Sequence, residues 1–417
     1  MSRLPEAPLH RATGQSNKRL CFFTILLLVI ATVSWRRGVY YSGGFDPVVA
    51  GKGAVSLIAL TMAWFARQAS PVLVQVRGRS LLFLSSYLTI SVVGAYAAGQ
   101  LIPSAILAAR IFILALALYY LARVFPREVL FSHLISAMLL VASISTITGL
   151  VSSGVRDRLF GGVPPLHPNE IAVLFAVSLI GLVWLALQDL MRGHHLLLLL
   201  LAVGAIWLTG SRTGLAAAIV AMAFMLLMAR RLNRVVAVVV AATIPAGFYF
   251  IFSSEVLDGY FMRGGSEQLT TLSSRTIAWS AARSFPETFW AQWTGTGLSQ
   301  KLIPVSDQWW DEQILDSTWV SALVQAGQLG FLVLLLWLAV VAIASLRSQR
   351  AARIFLVGAL TLLVIRSVLE SGLFDSTPAF LVFMLISLTC DDPEQVRSRP
   401  VVETGSEVVV TTYPPRP

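Results

Sequence analysis

Charge is scarce in this 417-residue chain: 12% of its residues are Asp, Glu, Lys or Arg and 56% are hydrophobic, whereas a soluble domain carries about one-quarter charged residues. That scarcity excludes a soluble enzyme and implies a polytopic membrane protein. A bilayer-crossing helix takes about 20 apolar residues, so twelve would use about 240 and leave no room for a large soluble catalytic domain. Cysteine is nearly absent, with Cys21 and Cys390 alone, which excludes a disulfide framework and any zinc spacing. There are five histidines, and no P-loop, nucleophilic triad or DxD-like metal motif occurs. Chemistry must then rest on arginines, one or two carboxylates and aromatics, with no metal and no other cofactor expected.

The net charge of +10 reports topology in such a chain before it reports any nucleic-acid partner. Apolar runs predict an all-α protein with twelve spans, near 20–35, 53–69, 80–98, 101–122, 129–151, 169–187, 195–209, 213–229, 235–252, 317–344, 353–370 and 373–390. The first run has a basic flank, Arg11, Lys18 and Arg19, and lacks a small-residue cleavage site, so it reads as a retained anchor and not a signal peptide. Nineteen basic residues fall on the side of the termini and ten opposite, which assigns both termini to the cytoplasm. The expected organisation is a cytoplasmic tail over 1–19, a membrane domain over 20–390 and a disordered cytoplasmic tail over 391–417. One connection, 253–316, is far longer than the rest and falls outside. Six of the eleven tryptophans lie in 253–319, a composition that predicts order.

Charge within a span costs about 3 kcal/mol on insertion scales, so Arg110 and Arg366 need partners. Arg366 precedes Glu370 by four residues and can pair with it on one helix face, either to close the bundle or to serve a site. Arg110 lies about 13 Å below the outer end of its span, which predicts a buried partner or a polar cavity. In LTGSRTGL (208–215), Arg212 stands at a helix start, where free amides and a guanidinium suit phosphate; a tight hairpin anchored at the headgroups is the other reading. GGVPPLHPNEIA (161–172) leads into the sixth span, with Asn169 able to cap it and His167 the only outer-face histidine.

The long loop contains SSRTIAWSAARSF (273–285), which places Arg275, Trp279, Ala282 and Arg283 on one helical face. That face could lie on headgroups, or hold a diphosphate and stack on a sugar. GTGLSQ (295–300) reads as a flexible turn. WWDEQILDSTW (309–319) brings Asp311, Glu312 and Asp316 to the mouth of the tenth span, with Asp316 either a helix cap or a general base.

In this order, HPNEIA, the GSRTG hairpin, R-x-x-x-W, the G-x-G turn and DSTWVSALVQAGQLGF resemble the O-antigen ligase and O-antigen polymerase family of bacterial membrane glycosyltransferases. The resemblance covers about 165–345. It implies a GT-C-like, all-helical, metal-independent, inverting transferase in the bacterial cytoplasmic (inner) membrane, its active site facing outward. The donor it implies is a polyprenyl-diphosphate-linked glycan, and the acceptor a glycan or lipid-linked glycan. Membrane lipids surround it, nucleic acid is no partner, and a flippase and a chain-length protein are partners the family suggests. Family arginines that hold the diphosphate correspond to Arg212 and Arg275, and the residues read above, Arg283, Trp279, Arg110, Arg366, Glu370, His167 and Asn169, are the candidates for binding substrate around them. Where family ligases carry His-Asn, this chain has Asp316-Ser317, so Asp316 is the matching candidate for activating the acceptor hydroxyl. The rival class is a transporter or flippase that moves a lipid-linked saccharide without bond chemistry. Charge gathered at the outer surface instead of the midplane, and the absence of paired broken helices, argue against it.

Overall fold

The computed structural model describes residues 8–38, 41, 43–70, 74–153, 158–229, 275–286, 288–305 and 311–391. These form thirteen helices and one small hairpin. The helices are α1 (Pro8–Thr32), α2 (Pro47–Gln68), α3 (Arg79–Ala97), α4 (Leu101–Ala122), α5 (Arg127–Ser153), α6 (Pro168–Leu187), α7 (Gly193–Thr209), α8 (Arg212–Met228), α9 (Arg275–Ser284), α10 (Phe289–Thr294), α11 (Thr318–Arg347), α12 (Arg350–Leu369) and α13 (Pro378–Cys390). Strands β1 (Leu302–Pro304) and β2 (Glu312–Ile314) pair antiparallel before α11. Seven of the described helices, α2 to α6, α11 and α12, are long and apolar enough to cross a membrane, while α7, α8 and α13 are shorter apolar helices. The chain is an all-α, multi-pass membrane protein. The run at 235–252, the first part of the long loop, Trp309, Trp310 and the tail from 392 lie outside the described residues.

Helix starts follow local chemistry where the chain turns. Asp46 caps α2, accepting from Val48 N at 2.9 Å and Val49 N at 3.4 Å, and Pro47 supplies the preset φ of a first helical residue. Ser211 caps α8 through Gly214 N at 3.3 Å, after Gly210 ends α7 in the left-handed conformation. Thr377 caps α13, which begins at Pro378 and not at 373, because residues 370–377 fold as a turn around Gly372 (φ 106°). Helix α1 begins at Pro8, twelve residues before the expected span, since nothing in LHRATGQSNKR except Gly14 opposes helix.

Helix α13 is buried along its whole length and forms the axis of the bundle, with α3, α4, α11 and α12 among the helices against it. Its apolar-all-round sequence suits that place. The ends of the bundle alternate with the chain. The end carrying the α1–α2, α5–α6, α7–α8 and α12–α13 turns also carries α9, α10 and the hairpin, and is called the near end.

Helix α11 breaks at Gly327 (φ 63°, ψ −166°). A break frees helix carbonyls, which in hydrocarbon costs several kcal/mol each. The GTGLSQ turn satisfies them: Thr296 N donates to Val324 O at 2.9 Å and Gly297 N to Gln325 O at 3.0 Å, with Ser91 Oγ also on Gln325 O at 2.7 Å. A Cβ on Gly327 would lie 2.4 Å from Trp293 C, and one on Gly295 2.3 Å from Ala326 N. The turn expected to be flexible is therefore clamped, backbone against backbone, and glycine is what permits the approach.

Candidate functional site

The near end is laced together by side chains from segments far apart in sequence. Ser34 donates to Glu170 Oε1 at 2.6 Å, and Arg37 donates to the carbonyls of Gly161 and Pro165 while lying 5.0 Å from the Phe160 ring centroid. Arg36 pairs with Asp46. A second chain runs Arg158 to Asn169 Oδ1 (2.8 Å) and Asn169 Nδ2 to Glu370 Oε1 (2.6 Å), with Arg158 Nε also donating to Thr209 O at 3.0 Å. The HPNEIA lead-in, the GSRTG hairpin and the end of α12 thus meet through three side chains. The backbone of Glu370 joins α11 to the same point, accepting from Thr318 N at 3.2 Å and Thr318 Oγ1 at 2.9 Å.

The cap of α6 is His167 and not Asn169: its Nδ1 accepts from Asn169 N at 3.3 Å, and Glu170 Oε2 accepts from His167 N at 3.0 Å. The residue before Pro168 is steered to an extended conformation, which is what a cap needs, and this leaves Asn169 inside the helix, free to bridge Arg158 and Glu370. Desolvation, then the Arg158 and Arg37 charges, push the His167 imidazole down to about 4. It is neutral near pH 7, so Nδ1 remains an acceptor.

Two guanidinium groups are buried here. Arg110, on α4, is 7% exposed and donates to Ala31 O at 2.6 Å, in the last turn of α1, where the helix dipole favours a cation. Its Nε has no hydrogen-bond partner among the described residues, and a buried donor left so costs about 1–3 kcal/mol. Arg366 is 8% exposed, within electrostatic reach of Glu370 and Glu170. Lys52 makes no hydrogen bond or ion pair to another described residue, and the charges acting on it are those of Arg110, Glu170, Asp375 and Arg36. Asp375 pairs with Lys301. Burial alone would raise its carboxyl, but Lys301, the Ser376 amide (2.7 Å) and Arg110 hold it below the usual carboxylate range.

Arg212 opens α8 half-buried, and Asp316 stands half-buried just before α11. The cap position of α11 is Ser317, so Asp316 precedes the helix instead of capping it. Helix α9 packs Ala278 and Ala282 with Ile303, Leu315 and Val324 into a small second core. Trp279 lies against that core, its Nε1 without a partner among the described residues, while Arg283 is exposed. The expected single face is therefore divided, its centre used for packing and Arg283 left at its rim. Arg275 is the first residue of α9, and its side chain lies outside the described residues.

Sequence reasoning assigned no role to Lys52, Arg158, Glu170, Lys301 or Asp375. Lys52 carried a usable signal, a lone cation opening an apolar run. Arg158 carried none, since only the fold aims it at Asn169. No protein-family model matches the chain, and no curated protein matches its sequence.

Proposed function

We propose that the chain is a membrane glycosyltransferase of the O-antigen ligase and polymerase type, acting on a polyprenyl-diphosphate-linked glycan at the outer face of the bacterial cytoplasmic membrane. The observation that carries the reading is the pair of buried guanidiniums at one end of the bundle, beside an ammonium, where the Arg110 Nε and the Lys52 ammonium have no hydrogen-bond partner among the described residues. Buried cations with hydrogen-bonding capacity left over are costly and persist where an anionic ligand completes them. A diphosphate supplies that charge and geometry. The twelve-span arrangement, cytoplasmic termini and outward site belong to the same reading. In its favour, α8 leaves the described chain at the far end and α9 resumes at the near end, the parity that one more crossing gives.

In the mechanism, an acceptor sugar hydroxyl attacks the anomeric carbon of the donor in line. The new glycosidic bond forms as the bond from the anomeric carbon to the phosphate oxygen breaks, with inversion. Asp316 takes the hydroxyl proton, and polyprenyl diphosphate leaves with its charge held by Arg212 and Arg275, supported by Arg110. Asn169, Glu370 and Arg158 fix the α6, α7–α8 and α12 ends so that these charges converge. Arg275→Ala and Asp316→Asn, each confirmed to insert normally, should abolish surface-polysaccharide assembly in cells that depend on this chain. Full assembly by both variants would refute the assignment.

A further inference from the structure

At the far end of the bundle, α5 and α7 pack on α6 and leave a cleft of about 350 Å³, with α12 also in its lining. Nothing in the mechanism above uses it, and it lies at the opposite end from Arg110 and Asp316. Small-molecule pockets start at about 300 Å³, so the space is large enough for a ligand. Its shaft is apolar, with Ile135, Leu139, Leu182, Leu185 and Leu198 among its walls, whereas Arg127, Glu128, His194 and His195 gather at the mouth, in the first turns of α5 and α7. The aromatic side of the cleft is fixed by the protein itself. The Phe355 ring centroid lies 4.8 Å from that of Phe131 and 5.8 Å from that of Trp184, and Trp184 Nε1 donates to Ala351 O at 2.8 Å. The space is therefore built into the packing, and an apolar space of this kind is not filled by ordered water.

Depth and charge decide the ligand class. Along α5 the lining runs from Arg127 to Leu139, about 18 Å at the helical rise, close to the ~15 Å half-thickness of a bilayer core. Leu197, Leu200 and Leu201 on α7 and Leu140 on α5 are exposed, so the cleft borders on surface that faces lipid. Ser132 and Ser136, one turn apart on α5, put hydroxyls below the mouth, at the level where a glycerolipid carries its ester carbonyls. At the mouth itself Arg127 pairs with Glu128 at 2.8 Å, and the turns around it add Arg192, Arg350 and Arg353 against Asp189 alone. Basic pockets between helices at one membrane face suit anionic lipid headgroups.

We propose that this cleft is a specific site for an anionic glycerophospholipid, with a stretch of one acyl chain in the apolar shaft and the phosphate at the mouth between Arg127 and His195. His195 Nδ1 accepts from Arg192 N at 3.1 Å, which leaves Nε2 of the neutral ring as a donor for the phosphate. Three of the lining helices, α6, α7 and α12, carry Asn169, the GSRTG hairpin and Glu370 at their other ends, so the bound lipid braces the framework of the near end. Naming the leaflet as cytoplasmic rests on the orientation proposed above, whereas the binding does not.

The test uses full-length protein, delipidated in detergent, and native mass spectrometry with phosphatidylglycerol or phosphatidylcholine of the same acyl chains at micromolar concentration. Wild type should retain phosphatidylglycerol with a dissociation constant at least about fivefold below that of phosphatidylcholine, the effect of one nearby arginine charge. Ser136→Trp and Leu198→Trp each place an indole in the shaft and should weaken phosphatidylglycerol at least about tenfold, while Arg127→Gln should narrow the difference between the two lipids. Unfolding temperatures check that each variant is folded, and the second filling variant serves if the first is not. Equal affinity for the two lipids would overturn the anionic site, and unchanged phosphatidylglycerol binding in the folded filling variants would overturn the cleft. Phosphatidylglycerol that binds only after residues 392–417 are removed would give the cleft to that tail and overturn the lipid.

Discussion

Each end of the bundle holds a cluster of buried polar groups, and these two clusters satisfy them differently. At the far end Asp391, 4% exposed, accepts from Ser80 N and Ser80 Oγ, both at 2.8 Å, and pairs with Arg79 at 3.3 Å. Ser387 shares a hydrogen bond with Ser80 (2.5 Å) and accepts from Trp337 Nε1 at 2.8 Å. That cluster is closed, each member holding a partner, and its work is to cap α3 and pin α11 to α13. At the near end neither the Arg110 Nε nor the Lys52 ammonium has a hydrogen-bond partner among the described residues. A closed cluster stabilises the fold, whereas an open one leaves bonds for a ligand to make.

The largest contrast should come from removing one charge at each end. Asp391→Ala leaves the buried Ser80 amide without its acceptor and should cost up to about 3 kcal/mol, seen as a lowered unfolding temperature in detergent or as loss of folded protein. Arg110→Met removes a charge that is only part-satisfied, so stability should change by less than about 1 kcal/mol while transfer falls at least about a hundredfold. If Arg110→Met instead destabilises the protein as much as Asp391→Ala, the near-end cluster is structural and the contrast collapses.

Gly327→Ala should rank next. A Cβ there meets Trp293 C at 2.4 Å and the backbone is left-handed at φ 63°, so strain and lost turn bonds should total about 2–3 kcal/mol. The G-T-G turn should then loosen, with limited proteolysis cutting faster within 285–300. Unchanged protection would mean that the turn does not hold the break in α11.

Asn169→Ala cuts the bridge from Arg158 to Glu370 and should cost about 1–2 kcal/mol, with a larger loss in transfer than in stability if the bridge positions the site. A double-mutant cycle with Glu370→Gln should show coupling of about 1 kcal/mol; additive effects would deny the link.

The smallest effect is in pH. His167 has its folded pKa depressed to about 4 from 6.5, so the folded state binds its proton less readily than the unfolded state. Its contribution is present above about 6.5 and is lost as pH falls toward 4. Asp375, also depressed, is lost in the same direction as acid reaches the carboxylate range. Unfolding temperatures of wild type and His167→Gln should converge between pH 6.5 and 4, and a constant gap would contradict the cap assignment.

Helices were the legible part of the sequence. Apolar runs bounded by Pro, Gly and charge fix them well, as at Leu101–Ala122, which the structure reproduces residue for residue. What misled were turns whose geometry depends on a neighbour. The α12–α13 turn consumes five residues read as span, and GTGLSQ looks flexible until the broken helix it serves is seen. Within the site, Arg110, Arg366 and Glu370 announced themselves because charge in a span demands a reason. Arg158 and Asp375 lie in loops of ordinary composition, and only folding brings them to Asn169 and Lys301. The division of the α9 face was also hidden, since periodicity groups Trp279 with Arg283 and cannot say how wide the packed stripe will be.

Single-turnover reaction of the purified protein with a polyprenyl diphosphate glycan and an acceptor glycan tests the central claim most directly. Wild type should release polyprenyl diphosphate in equal amount to new glycosidic bonds, with Asp316→Asn at least about a hundredfold slower and Arg110→Met slowed while still folded. Binding of the donor with no released diphosphate and no new bond would contradict the account.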